Sequence, residues 1–197
     1  MTIETENVAQ SSDDATRFFS SSFSTTQNWC RFGNDGTNGY DYGARFQNID
    51  IPNGATINSA KLSIMNRLTE TKIIDIDIYA DNTDDAATFS THADFIGRSL
   101  TTALVTWLPS SSWTSATRYE ITGLENIVQE IINRAGWSTG NSIAFLLFGQ
   151  GTSGQYIQIG SYDVSSSDVF QLEIDYTSGG ITKRLRYYSG SGVYGEI

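Results

Sequence analysis

The side chains able to do chemistry are few in kind and unevenly spread. The 197-residue chain has one histidine, His92, and one cysteine, Cys30. Neither a thiolate–imidazole zinc set nor an internal disulfide framework can be built from these. A serine nucleophile needs a neighbouring base and a sharp glycine-flanked turn to present it. The serine runs at 20–22, 110–112 and 165–167 have no such glycines, and His92 lies in the polar stretch Ser90-Thr91-His92-Ala93-Asp94, which reads as exposed. Cys30 reads as a small core or surface thiol. Carboxylates are plentiful, as in Asp84-Asp85, but glycoside hydrolysis needs two at a set separation and nothing singles out a pair. The expectation is a protein without enzymatic activity.

Two kinds of binding chemistry remain. Asp81, Asp84 and Asp85 bring hard oxygens close together in Asp81-Asn82-Thr83-Asp84-Asp85, which makes them calcium candidates. The spacing lacks the glycine and terminal glutamate of an EF-hand, so a solvated acidic turn is the better reading, with no cofactor expected otherwise. A glycan site needs an exposed aromatic face beside amides and carboxylates. Trp29, Tyr40, Tyr42, Trp113 and Tyr162 lie beside Gly, Asn, Ser and Asp and are the glycan-binding candidates. Trp107 and Trp137 read as core residues, as large aromatics usually are.

The elements that must position these groups are mainly strands. Ala60, Leu62 and Ile64 alternate with Lys61 and Ser63 after the turn-forming Pro52-Asn53-Gly54. Ile74, Ile76 and Ile78 alternate with Asp75 and Asp77, and Phe170, Leu172, Ile174 and Tyr176 alternate with Gln171, Glu173 and Asp175. Each pattern predicts an antiparallel strand with one wet face. The run from Ile143 to Phe148 is apolar at every position, so it reads as a central strand or one covered by other structure. Weaker strand signals lie near 29–32, 42–49, 103–107, 118–121 and 155–159. One segment has helical period: Leu124, Ile127, Val128, Ile131, Ile132 and Ala135 share a stripe. Thr122 and Glu125 have the spacing of a capping box, and Gly136 stands where a left-handed C-cap would end the helix. The fold class expected is all-β, an antiparallel β-sandwich of jelly-roll type with one short amphipathic helix and a C-terminal extension.

Charge divides the chain unevenly. Twelve Lys plus Arg against 22 Asp plus Glu give −10 overall, which argues against nucleic acid as a partner because phosphate binding needs a basic face. No apolar run is long enough to span a bilayer, so no membrane is expected, and the first residues carry neither the basic nor the apolar region of a signal peptide. Beyond Gly179-Gly180 the composition shifts. Residues 177–197 hold Lys183, Arg184 and Arg186 against Glu196, a side-chain charge of +2 that leaves −12 on the remainder. The organisation expected is an N-terminal segment (1–12), a body (13–176) and a basic, tyrosine-rich arm (177–197). Lys183, Arg184, Leu185, Arg186, Tyr187, Tyr188 and Tyr194 are candidates for docking to a neighbouring subunit, and residues 1–12 are a second candidate hold.

The order of landmarks carries a resemblance. Ala44-Arg45-Phe46, Ile51-Pro52-Asn53-Gly54-Ala55-Thr56-Ile57-Asn58-Ser59-Ala60-Lys61-Leu62, Val105-Thr106-Trp107, Tyr119-Glu120-Ile121-Thr122, Gly136-Trp137-Ser138, Asn141-Ser142-Ile143-Ala144-Phe145 and Phe170-Gln171-Leu172-Glu173-Ile174-Asp175-Tyr176 resemble, in sequence order, the DNRLRE-type carbohydrate-binding-like modules. Asp13-Asp14-Ala15 matches their acidic opening, while the string that names the family does not occur in this chain. The resemblance implies a jelly-roll body. Such modules are mostly secreted or cell-surface, and similar ones occur as structural proteins of bacteriophage particles. With the leaderless start and the basic arm, it leads to an expected virion structural protein: a capsid decoration, head-fibre or tail-associated component. Its expected partners are capsid or tail proteins and itself, and its expected place is the virion, after synthesis in a host cytoplasm. The alternative is a free-standing carbohydrate-binding module with glycans as partner.

Overall fold

The computed structural model describes residues 2–28, 30–150 and 152–178. In chain order the strands are β1 (Thr2–Asn7), β2 (Asp14–Phe18), β3 (Phe23–Ser24), β4 (Cys30–Asn34), β5 (Gly39–Phe46), β6 (Thr56–Asn66), β7 (Glu70–Thr71), β8 (Asp75–Ala80), β9 (Val105–Trp107), β10 (Ser112–Trp113), β11 (Thr117–Thr122), β12 (Ile143–Gln150), β13 (Gln155–Ile159) and β14 (Gln171–Thr177). The helices are α1 (His92–Gly97) and α2 (Glu125–Ile132). The fold is an all-β antiparallel sandwich with a little helix. A front sheet runs β3–β2–β5–β12–β8–β9 and a back sheet β1–β14–β6–β11. A pair, β4 and β13, joins them at one side, with β13 meeting β6 only at Ile159–Asn66.

Period-two alternation decides what each sheet buries. From β6, Leu62 and Ile64 enter the space between the sheets, met by Leu172 and Ile174 of β14 and by Ile76 and Ile78 of β8. Ile57 also faces inward although its number has the opposite parity. The register shifts by one residue at this point, where Tyr176 pairs with Ile57 and Asp175 with Ser59. That bulge absorbs Asn58 and restores the inward phase.

Helix α2 closes the space between the sheets with Ile127, Val128, Ile131 and Ile132, all buried. Its start differs from the expected capping box: Thr122 ends β11, and the N-cap is Leu124 with no side-chain cap bond. Its end differs as well. Asn133 is the C-cap in right-handed geometry. The Asn53 Nδ2 donates to the carbonyls of Ile132 (2.9 Å) and Arg134 (2.8 Å), satisfying acceptors that a helix end leaves open. Gly136 does not adopt a left-handed φ; a Cβ there would collide with the Asp84 carboxylate.

Strand β12 is buried on both faces. Ile143, Phe145 and Leu147 join the main core, while Ala144 and Leu146 belong to a second cluster with Ala15, Ala86, Phe89 and Phe95. The excursion from 81 to 100 lays this second core over the outside of the front sheet. Gly43 of β5 makes room for the Phe89 ring, which a Cβ would strike. Helix α1, absent from the sequence reading, carries Phe95 into the cluster. Thr91 caps it by accepting from the Asp94 N–H (3.0 Å), and the Asp94 carboxylate accepts from the Ser90 N–H (3.0 Å).

The N-terminal segment is also part of the body. β1 pairs with β14 over six residues, and Val8 is buried in the main core, so the sandwich includes residues 2–8 rather than starting at 13. Phe95 gives a direct test of the second core. Phe95→Ala should lower unfolding free energy in urea by about 3 to 5 kcal/mol, the usual range for truncating a buried phenylalanine. It should also increase amide exchange over residues 81–100 first. A loss under about 1 kcal/mol would mean that this cluster does not fasten the excursion.

Candidate functional site

The groups with chemical potential are gathered into buried polar clusters, each tied to a particular segment. The first lies where β2 meets β5. Asp14 is 2% exposed, and its Oδ2 accepts from the Tyr42 hydroxyl (2.9 Å) and from the Tyr162 N–H (2.8 Å). Burial is the main force on it and pushes its carboxyl up to about 7, against the opposing pull of the two hydrogen bonds. Burial likewise pushes the Cys30 thiol up, with the neighbouring Asp14 charge adding to it. Cys30 is therefore a thiol at neutral pH and not a nucleophile. Tyr42, held by the same burial, stays well above its ordinary value.

Beside this cluster, Asp13 is fully buried. Arg45 donates to it (2.6 Å), to the Ala86 carbonyl (2.6 Å) and to Ser142 Oγ (2.9 Å), and Gln47 also donates to Asp13. The acidic opening of the sequence is thus a clamp on the start of β2. Asp41, 1% exposed, pairs with Arg17 and accepts from the Gly149 N–H (3.0 Å). Burial dominates here too and moves its carboxyl up to about 6, with Arg17 opposing. His92 is half-buried, not exposed as its neighbours implied, and accepts from Arg17 Nε (3.3 Å).

The calcium candidates do not converge. Arg98 donates to Asp81 (3.0 Å), Arg134 to Asp84 (2.7 Å), and the Ser142 N–H to Asp85 (2.9 Å). Each carboxylate is held by a different partner, and among the described residues no three His, Cys, Asp or Glu side chains are grouped to hold a metal ion. Through these bonds the turn staples the 81–98 excursion. Arg98 also donates to the carbonyls of Ala87 (3.0 Å) and Thr88 (2.9 Å), with its guanidinium over the Phe89 ring.

Three glycan candidates are core residues, which corrects their assignment. Tyr42 is fully buried and stacked on Phe170 with ring centroids 4.7 Å apart. Tyr40, 2% exposed, packs edge-on against Phe18 while its hydroxyl engages Asp35 and Arg31. Trp113, also 2% exposed, lies against Tyr119 and Trp107, its Nε1 donating to the Lys72 carbonyl (3.0 Å). None has a free face for a sugar ring. Tyr162 is half-buried against the main core, as is Trp107, while Trp137 is buried as expected. Trp29 lies outside the described residues, as do Lys183, Arg184, Leu185, Arg186, Tyr187, Tyr188 and Tyr194 of the arm.

The open surface with the most binding chemistry is one that the sequence reading did not select. On the outer face of the back sheet, Thr5, Lys61, Ser63, Arg118, Glu120, Gln171 and Glu173 line a shallow trough of about 340 Å³. Lys61 joins Glu120 (2.9 Å) and Glu173 (3.3 Å) across three strands, which raises the lysine above its ordinary value. Arg118 crosses to the carbonyls of Val169 (3.1 Å) and Ser167 (2.6 Å). The signal was present as the wet half of each alternating strand, but which wet residues become neighbours depends on sheet order.

A scan against protein-family models finds no match for this chain, and a search of curated proteins finds none significantly similar to it.

The raised carboxyls set a pH dependence. Asp14 and Asp41 hold protons in the folded chain at pH values where the unfolded chain, near 3.8, has lost them. Their contribution is therefore largest below about pH 4 and falls as pH rises toward 7. At 1.36 kcal/mol per unit, Asp14 alone accounts for a loss on the order of 4 kcal/mol. Thermal melts should give a lower Tm at pH 8 than at pH 5, and Asp14→Asn should remove much of that difference. A wild-type Tm that does not fall between the two would count against the buried-carboxyl account.

Proposed function

We propose that this chain is a non-enzymatic structural component of a virion, a capsid decoration, head-fibre or tail-associated protein whose sandwich is the exposed body. One observation carries the reading: the chemically able side chains are spent on fastening loops to sheets. Arg45 joins Asp13 to Ala86 and Ser142, Arg98 joins Asp81 to the carbonyls of Ala87 and Thr88, and Arg134 joins the end of α2 to Asn82 and Asp84. Such cross-ties suit a body that must keep its shape under load without a disulfide or a metal. The jelly-roll resemblance and the basic arm support the same reading.

A second reading, a free-standing carbohydrate-binding module, is favoured by the trough on the back sheet, whose lining holds the donors Lys61, Arg118 and Gln171 beside the acceptors Glu120 and Glu173. A glycan array on the whole chain tests it. Binding that weakens about tenfold on Gln171→Ala supports it, and an array with no binding removes it. For the leading reading, mass spectrometry of purified particles should find the chain at a fixed copy number per particle. Particles free of it would end that assignment.

A further inference from the structure

The longest unpaired sheet margins among the described residues are β1 and β11, six residues each; β9 and β3 have three and two. A free edge of that length exposes a row of backbone donors and acceptors and is normally blunted by lysine, proline or a cover. β1, Thr-Ile-Glu-Thr-Glu-Asn, has neither lysine nor proline. Its residues facing the core side, Thr2, Glu4 and Glu6, lie opposite Tyr176, Ile174 and Leu172. Among the described residues, neither Glu4 nor Glu6 has a cation in salt-bridge reach, and Glu4 reaches only the Asp50 N–H (2.9 Å). Burial raises the Glu6 carboxyl, with the neighbouring Glu4 charge adding to it. On the other face of β1, Ile3 is 62% exposed.

The chain has a segment that fits this edge. Residues 181–188, Ile-Thr-Lys-Arg-Leu-Arg-Tyr-Tyr, lie outside the described residues. Arg184 and Arg186 are two apart, as are Glu4 and Glu6, so a strand pairing would set both arginines on the face of both glutamates. We propose that residues 181–188 of one copy add to the free edge of β1 in a second copy as an antiparallel strand. Arg184 then lies beside Glu6, Arg186 beside Glu4, and Tyr187 covers Ile3. This rests on the reading of the chain as an assembly component and names its partner as itself.

The exchange between copies follows from chain direction. β14 runs antiparallel to β1 and ends at Thr177, level with Thr2. An arm returning to its own β1 would have to cross in front of Thr2 within four residues and then run parallel to β1. Two strand spacings are about 9.6 Å, against a reach of about 14 Å for four extended residues, so little slack remains for the reversal. An arm from a second copy can enter from the Asn7 end and pair antiparallel. β11 is the poorer acceptor for a basic arm because it carries Arg118 and its one carboxylate, Glu120, is already paired with Lys61.

Sedimentation velocity on the full chain tests this. Wild type should self-associate in a concentration-dependent way, and deletion of 181–197 should give a monomer with an unchanged melting temperature. Glu4→Lys with Glu6→Lys should weaken association at least about tenfold, and adding Arg184→Glu with Arg186→Glu should restore most of it, as expected for paired opposite charges. A monomeric wild type, association that survives the deletion, or a charge swap that fails to rescue would each overturn the proposal. A wild-type monomer that melts lower once the arm is deleted would place the arm on its own β1 and overturn it too. Particle composition is read separately: a monomer found in virions overturns the exchange and leaves the virion reading standing.

Discussion

A strand that is apolar on both faces cannot rest on one core, and β12 imposes that constraint on the whole molecule. One side of it, Ile143, Phe145 and Leu147, is satisfied by the back sheet. The other, Ala144 and Leu146, would lie in water unless chain were brought to it. The excursion between β8 and β9 supplies that cover with Phe89 and Phe95. It then needs fixing, since a loop bent over a sheet has few ladder bonds of its own. Arg98 and Arg134, working with Asp81 and Asp84, and Arg45 with Asp13 and the Ala86 carbonyl, are that fixing. The acidic cluster and the apolar run are therefore two parts of one solution.

The buried carboxylates carry a cost that this arrangement accepts. Asp14 has two donors but no cation bonded to it, and burial dominates its ionisation. Asp41 has Arg17 and still rises. A neutral residue of similar size would avoid the desolvation. What the carboxylates provide is direction: Asp14 fixes the backbone at Tyr162, 148 residues away, and Asp41 fixes Gly149, 108 residues away. Both tie distant segments to β2 or β5, where the apolar core has no directional means of selecting a register.

Much of the sandwich was legible in the amino-acid order because strand faces are a local property. The alternations at 60–64, 74–78 and 170–176 and the double-sided run at 143–148 became the elements that they predict, and the stripe at 124–135 did so as far as Ile132, with Ala135 exposed beyond the helix end. β1 and β2 were not legible, since Thr2–Asn7 is polar but for Ile3 and Asp14 and Thr16 are buried by partners far along the chain. Capping went astray for a related reason. Thr122 and Glu125 have the right spacing but Thr122 is taken by pairing with β6, whereas Thr91 and Asp94 form the real cap of a helix too short to show a period. Tyr40, Tyr42 and Trp113 were misplaced, and Asp81, Asp84 and Asp85 do not converge, because turn-like neighbours were read as exposure. Tyr40 and Tyr42 lie inside β5, and the partners of Asp81 and Asp84 are 17 and 50 residues distant.

The two sheets end up unequal, and the inequality decides where the molecule can meet others. The outer face of the front sheet is occupied by its own excursion. Among the described residues the outer face of the back sheet has no such cover, and its side chains form a lattice in which Lys61 already joins Glu120 and Glu173. A face of mutually satisfied charges gains little from a protein partner, because each new contact must first break an existing pair. The margin of that sheet differs. At β1 the backbone is unpaired on one side among the described residues and the glutamates have no cation there, so a basic strand arriving at this edge would break no ion pair. Binding by edge rather than by face is the mode in which a rigid sandwich can join an assembly without changing its core, and the same edge lies level with the point where the chain leaves β14 for its basic arm.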